Sequence, residues 1–116
     1  MKLFDSELKL MELVWASEPI KAKQLSLTAA DKFGWNKNTT YTVLKKLVDK
    51  QAVKRSEPGF LCTSLIGKEE VRQTETETLI KKLYNGSKKA LFSSLLEDTA
   101  LSPEEIHELK RLIEKI

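Results

Sequence analysis

Asn38, Thr39, Tyr41, Thr42, Lys45 and Lys46 fall within nine consecutive positions and offer one amide, three hydroxyls and two ammonium groups. They are a row of hydrogen-bond donors and acceptors suited to reading the edges of another molecule. An asparagine amide can bond adenine bidentately, and threonine offers a hydroxyl and a methyl to bases. Lysine reaches guanine acceptors or phosphate, and Tyr41 can stack on a sugar or donate to a phosphate. From Lys37 to Arg55 the chain carries six basic residues and one acidic residue, Asp49. A local excess of this kind attracts polyanions, and double-stranded DNA is the expected partner.

Enzymatic chemistry lacks its parts. His107 is the only histidine and Cys62 the only cysteine, too few for a metal-ligand cluster. No glycine-rich loop is spaced to cradle a phosphate. The expectation is a protein without catalytic residues, metal or cofactor, with Cys62 a small buried side chain.

A reading surface needs a rigid carrier. Asn36 or Asn38 can cap a helix over about 38–50. At 100° per residue it places Thr40, Val43, Leu44, Leu47 and Val48 inward, and Asn38, Tyr41, Thr42, Lys45, Lys46 and Asp49 outward. Before it, Asp5 or Ser6 can cap a first helix with Leu8, Met11, Leu13, Val14 and Trp15 apolar, which Pro19 separates from the next element. A second helix is expected at about 22–33, burying Ala22, Leu25, Leu27, Ala29 and Phe33, with Gly34 as its left-handed cap. After the third helix, Ala52–Ser56 and Phe60–Leu65 flank Glu57-Pro58-Gly59 and read as a hairpin. Three helices and a basic hairpin are the order of a winged helix-turn-helix. Lys54 and Arg55 on the wing, with Lys21 and Lys23 at the start of the second helix, suit contacts to the phosphate backbone.

The character of the chain changes near Gly67. Residues 1–66 carry a balance of +4 and residues 67–116 a balance of −1. The later part reads as three helices: Lys68 to Asn85, one capped by Ser87, and one opened by Ser102-Pro103-Glu104-Glu105 as a capping box. Leu79, Leu83, Leu91, Phe92, Leu95, Leu109, Leu112, Ile113 and Ile116 are too apolar to remain solvated and too few for a separate core. Burial between two copies related by a two-fold axis resolves this. The fold class is therefore mainly α: a winged-helix DNA-binding domain over 1–66, then a helical dimerisation domain over 67–116. No apolar run is long enough to span a bilayer, the start lacks the layout of a signal peptide, and one cysteine suits a reducing compartment. A cytoplasmic protein without membrane insertion is expected.

Three segments carry a family likeness. Phe4 to Trp15, Gly34 to Leu47 with Lys54-Arg55-Ser56-Glu57-Pro58, and Leu101 to Ile106 resemble the penicillinase and methicillin-resistance repressors. The resemblance implies a homodimer that represses a resistance operon from a dyad operator built on TACA and TGTA half-sites. Asn38, Thr39, Tyr41 and Thr42 would be its base-reading positions. It also implies a β-lactam-sensing membrane protease system whose signal leads to cleavage in the dimerisation region. Where relatives often carry an Asn-Phe scissile pair, this chain has Ser94-Leu95, its candidate site of proteolytic inactivation. Many relatives have glycine where Gln51 stands, so a positive φ there would strain the backbone. The paired C-terminal cysteines of the copper-responsive branch are absent. Two other readings remain open at this point: a winged-helix module that binds protein, and an architectural DNA binder of low sequence preference.

Overall fold

The computed structural model describes residues 1–97 and 100–114, the last two by backbone alone. It divides into two units, Met1–Glu70 and Val71–Ile116. The first unit contains α1 (Asp5–Ser17), β1 (Ile20–Lys21), α2 (Ala22–Phe33), α3 (Lys37–Asp49), β2 (Val53–Ser56) and β3 (Leu61–Ser64). The three strands form one antiparallel sheet in the order β1-β3-β2, with Ile20 opposite Cys62 and Arg55 opposite Cys62 on the other side. The hairpin read from the sequence is thus part of a three-stranded sheet.

Leu10, Met11 and Val14 of α1, Leu25 of α2, Leu44 and Leu47 of α3, Val53 and Cys62 are almost wholly inaccessible. They form the core on which the helices and sheet rest. Each of the larger of these side chains contributes about 1.5–3 kcal/mol by leaving water. α2 ends as expected: Gly34 has φ +71° and its N–H bonds the Ala30 carbonyl. That left-handed turn releases the chain into the short connection to α3. Two expectations are corrected. Neither Asp5 nor Ser6 caps α1; the N-cap is Phe4, whose N–H donates to the Glu7 carboxylate at 2.8 Å. Leu27 is 57% exposed rather than buried, because it lies about 200° around the helix from Leu25, and Ser26 takes the inward place.

Glu7 is the chain's unusual core residue. Its carboxylate is 1% exposed and receives Lys50 Nζ at 2.6 Å, while its second oxygen, Oε2, is buried without a hydrogen-bond partner among the described residues. Lys50 also donates to the Lys2 carbonyl and lies 4.6 Å over the Phe4 ring. Burial pushes the Glu7 carboxyl up. The Lys50 hydrogen bond, the Phe4 N–H and the charges of Lys50 and Lys46 outweigh it and hold the group below its ordinary value. The pair ties the end of α3 to the start of α1.

Gln51 comes next, with φ +62°, the left-handed conformation that a glycine would adopt without strain. Glu18, at the end of α1, accepts both the N–H and the hydroxyl of Ser64. Trp15 donates to the Ile66 carbonyl at 3.0 Å. These contacts fasten the sheet to the helices.

The second unit takes up α4 (Lys68–Tyr84), which begins in the first unit, and holds α5 (Lys88–Leu96) and α6 (Pro103–Glu114). Asn85 and Gly86 turn left-handed at φ +48° and +82°, and the Gly86 N–H closes α4 on the Ile80 carbonyl. Ser87 Oγ then caps α5 by accepting from Ala90. Ser102 and Glu105 form the expected reciprocal capping box at 3.1 and 3.2 Å. Among the described residues of this unit only Ile80 is buried. Leu79, Leu83, Leu95 and Leu112 are exposed, Leu83 by 68%, and Leu91, Phe92 and Leu109 are half-buried. Ile116 and the side chain of Ile113 lie outside the described residues.

Candidate nucleic-acid interface

α3 begins where Asn36 Oδ1 accepts the Thr39 N–H at 2.8 Å, so Asn36 is the cap and Asn38 is left free of that task. Thr40, Val43, Leu44 and Leu47 anchor one side of the helix in the core. Asn38, Thr39, Thr42, Lys45 and Lys46 are exposed on the other, with Tyr41 half-buried at its margin. Thirteen residues give the helix a length of about 20 Å. Its outward face therefore holds amide, hydroxyl and ammonium groups on a backbone that cannot slide, since the opposite face is locked.

Lys37 continues the row, its Nζ 5.8 Å over the Tyr41 ring. Lys23 is exposed in the first turn of α2. It lines with Ser26, Leu27, Trp35, Lys37 and Tyr41 a cleft of about 430 Å³ between α2 and α3. Lys21 sits at the N-cap of α2, with its aliphatic stem near the wing turn at Gly59. Lys23 and Lys37 thus share a cleft with Tyr41 of the α3 row, and Lys21 lies beside the wing turn.

On the wing, Lys54 is exposed. Arg55 is engaged: its guanidinium lies 3.9 Å over the Phe60 ring and its Nε donates to Glu57 at 2.7 Å. That hydrogen bond, joined by the Phe60 N–H, holds the Glu57 carboxyl below its ordinary value. The Phe60 ring meets Tyr41 edge-on, with centroids 6.3 Å apart. Sequence reasoning missed Phe60 and Glu57, because a turn residue's neighbours across the fold leave no local periodicity. It also counted Lys50 in the basic patch, whereas Glu7 neutralises that charge.

Cys62 is fully buried, and burial pushes its thiol up to about 11 despite the nearby Arg55 charge. Among the described residues no group of three or more His, Cys, Asp or Glu side chains could hold a metal ion. No helix among them is long and apolar enough to cross a membrane. Ser94 and Leu95 are exposed in the last turn of α5.

A family model described as the penicillinase repressor matches residues 3–115. The chain belongs to the penicillinase repressor family. The family is one of repressors, not of enzymes. This family member is 26% identical over 116 residues to the penicillinase repressor of Bacillus licheniformis, spanning 98% of this chain and 91% of that one. It is 22% identical to the methicillin resistance regulatory protein MecI of Staphylococcus aureus strain N315, across 98% and 94% of the two chains. Among solved structures it is similar to the solution structure of the DNA-binding domain of the repressor BlaI. The TM-score is 0.56 at 24% identity, covering 60% of this chain and 87% of that one. That likeness establishes a winged-helix fold for this family member.

Proposed function

We propose that this penicillinase repressor family member is a homodimeric, sequence-specific DNA-binding repressor of a β-lactam-resistance operon. The observation that carries the reading is the outward face of α3. Asn38, Thr39, Thr42, Lys45 and Lys46 are exposed there, opposite the buried Thr40, Val43, Leu44 and Leu47, as a helix seated in the major groove requires. In this reading Asn38, Thr39, Tyr41 and Thr42 read base edges of TACA and TGTA half-sites. Lys21, Lys23, Lys37, Lys45, Lys46, Lys54 and Arg55 hold the phosphate backbone and fix the register. The names of the relatives, a penicillinase repressor and a methicillin resistance regulator, support the choice of target genes.

Residues 1–66 carry DNA binding and residues 67–116 pair two chains. Support for pairing comes from the second unit itself, whose described residues include a single buried side chain while its leucines face solvent. Helices so exposed do not hold together alone, and a two-fold partner covers like with like. Leu79, Leu83, Leu91, Phe92, Leu95, Leu109, Leu112 and Ile113 form that interface. A membrane β-lactam sensor and protease system relieves repression, with cleavage at Ser94-Leu95 in α5.

The test is fluorescence anisotropy of the full chain against a TACA/TGTA dyad duplex and a scramble of equal composition, at about physiological salt. A preference of roughly a thousandfold or more is expected. Equal weak binding to both would indicate an architectural binder, and no binding a protein-recognition module; either outcome overturns the proposal. Sedimentation of Leu83→Asp should give monomers with reduced dyad affinity, and a persistent dimer would place the interface elsewhere.

A further inference from the structure

Phe60 joins three pieces of the candidate interface. Its carbonyl accepts the N–H of Ala22, the first residue of α2, at 2.9 Å. Its ring carries the Arg55 guanidinium at 3.9 Å on the wing. The same ring stands edge-on to Tyr41 of α3 with a 76° interplanar angle. Its N–H donates to Glu57, the carboxylate that also takes Arg55 Nε. The backbone at Phe60 is left-handed, with φ +51°. Bulky side chains seldom adopt that conformation, and such strain persists where surrounding contacts enforce it, most often at functional sites.

We propose that Phe60 is a positioning residue for DNA recognition, whose ring fixes Arg55 of the wing and Tyr41 of the recognition helix at one spacing. The proposal rests on the reading of this chain as a DNA binder. A free arginine loses rotamer freedom when it docks on a phosphate. Arg55 has already lost much of it: its face lies on Phe60 and its Nε edge is held by Glu57. Its terminal nitrogens make no hydrogen bond among the described residues. That fork is the geometry that fits a phosphate. Glu57 would repel a phosphate if it acted alone, so its place beside Arg55 is accounted for by orientation rather than by attraction of DNA. Wing and helix then meet the duplex as one preset surface instead of two independent ones.

The experiment measures dyad-duplex affinity across a salt series for the full chain and for Phe60→Leu, Phe60→Asn, Phe60→Tyr and Arg55→Ala. The double variant of Phe60→Leu with Arg55→Ala completes the cycle. Phe60→Leu should lose roughly five- to tenfold in affinity, and the slope of log K against log salt should fall by about 0.9, one phosphate contact. Arg55→Ala should cost about tenfold in the parent and less than twofold in the Phe60→Leu background. Phe60→Asn tolerates the left-handed backbone and should show the same two losses, which separates loss of the ring from failure to fold. Phe60→Tyr should remain within about twofold of the parent with its slope unchanged. Without DNA, the Arg55 Nε–H resonance should lose its ring-current shift in Phe60→Leu and keep it in Phe60→Tyr.

A loss of affinity with unchanged slope, and with Arg55→Ala costing the same in both backgrounds, would make Phe60 a structural turn residue and overturn the proposal. So would full affinity in Phe60→Asn. If the parent chain itself binds no duplex, the reading as a DNA binder fails first, and the free-protein resonance shows whether the Phe60–Arg55 arrangement stands without it.

Discussion

Replacing Lys50 with methionine removes one ammonium group and leaves the Glu7 carboxylate buried without its counter-charge, while the methionine stem still covers Phe4. Breaking a fully buried ion pair by deleting one partner costs about 3–5 kcal/mol. Lys50 is 30% exposed, so water reaches one side of the pair, and the Phe4 N–H still bonds the carboxylate. The expected loss is therefore smaller, about 2–3 kcal/mol near neutral pH. For a unit of this size that lowers the melting temperature by roughly 10–20 °C. The pH dependence gives the sharper check. In the parent, Glu7 titrates below its ordinary value. Its stabilisation is therefore present above the unfolded pKa and is lost as pH falls through the folded one. In Lys50→Met the carboxyl is buried without a cation, which raises its pKa in the folded state. The variant's deficit is then full at neutral pH and relieved as pH falls through that raised value. Circular dichroism melts of both proteins at pH 7 and at about pH 4 should show the gap narrowing in acid. A variant as stable as the parent at neutral pH, or a gap that stays constant, would refute the assignment of Glu7 and Lys50 as a buried pair.

Thr42→Ala should weaken binding to the dyad duplex by about 1–3 kcal/mol and leave random-duplex binding nearly unchanged; equal losses in anisotropy titrations on both would exclude base reading there. Gln51→Gly should stabilise the first unit by up to about 1 kcal/mol, read as a higher denaturant midpoint, because φ +62° strains the glutamine backbone. A lower midpoint would show that the glutamine side chain outweighs the strain. Cys62, buried with its thiol pushed up to about 11, should resist alkylation at pH 8 in the native protein and react once urea unfolds it. Rapid modification of the folded chain would mean that the sheet opens readily.

The helices were legible because their apolar residues recur at helical spacing and their ends carry strong punctuation: Gly34, Asn85-Gly86-Ser87 and Ser102-Pro103. Asn36 and Ser102 cap as residue type alone suggests. Leu27 is apolar yet sits on the outward side of α2, and the inward position at that turn belongs to Ser26. β1 has two residues, too short to show alternation, and exists because β3 offers it an edge. Glu7 reads locally as an ordinary first-turn acid. Its burial depends on Lys50, 43 positions away, which no window along the chain contains. The same applies to the site: the α3 face followed from periodicity, whereas the Tyr41–Phe60–Arg55 stack depends on how the wing turn folds back over α3.

The single buried side chain among the described residues of the second unit bears on the life of a newly made chain. The core of the first unit is drawn from its own residues, so those can assemble as soon as they leave the ribosome. In the proposed pairing the leucines of α4, α5 and α6 would instead wait for the second chain, and until then Leu83, Leu95 and Leu112 would be open to chaperones and proteases. The abundance of the protein would then be set by how quickly the cover arrives as well as by how fast the chain is made. At low expression, chains would be cleared before they could accumulate.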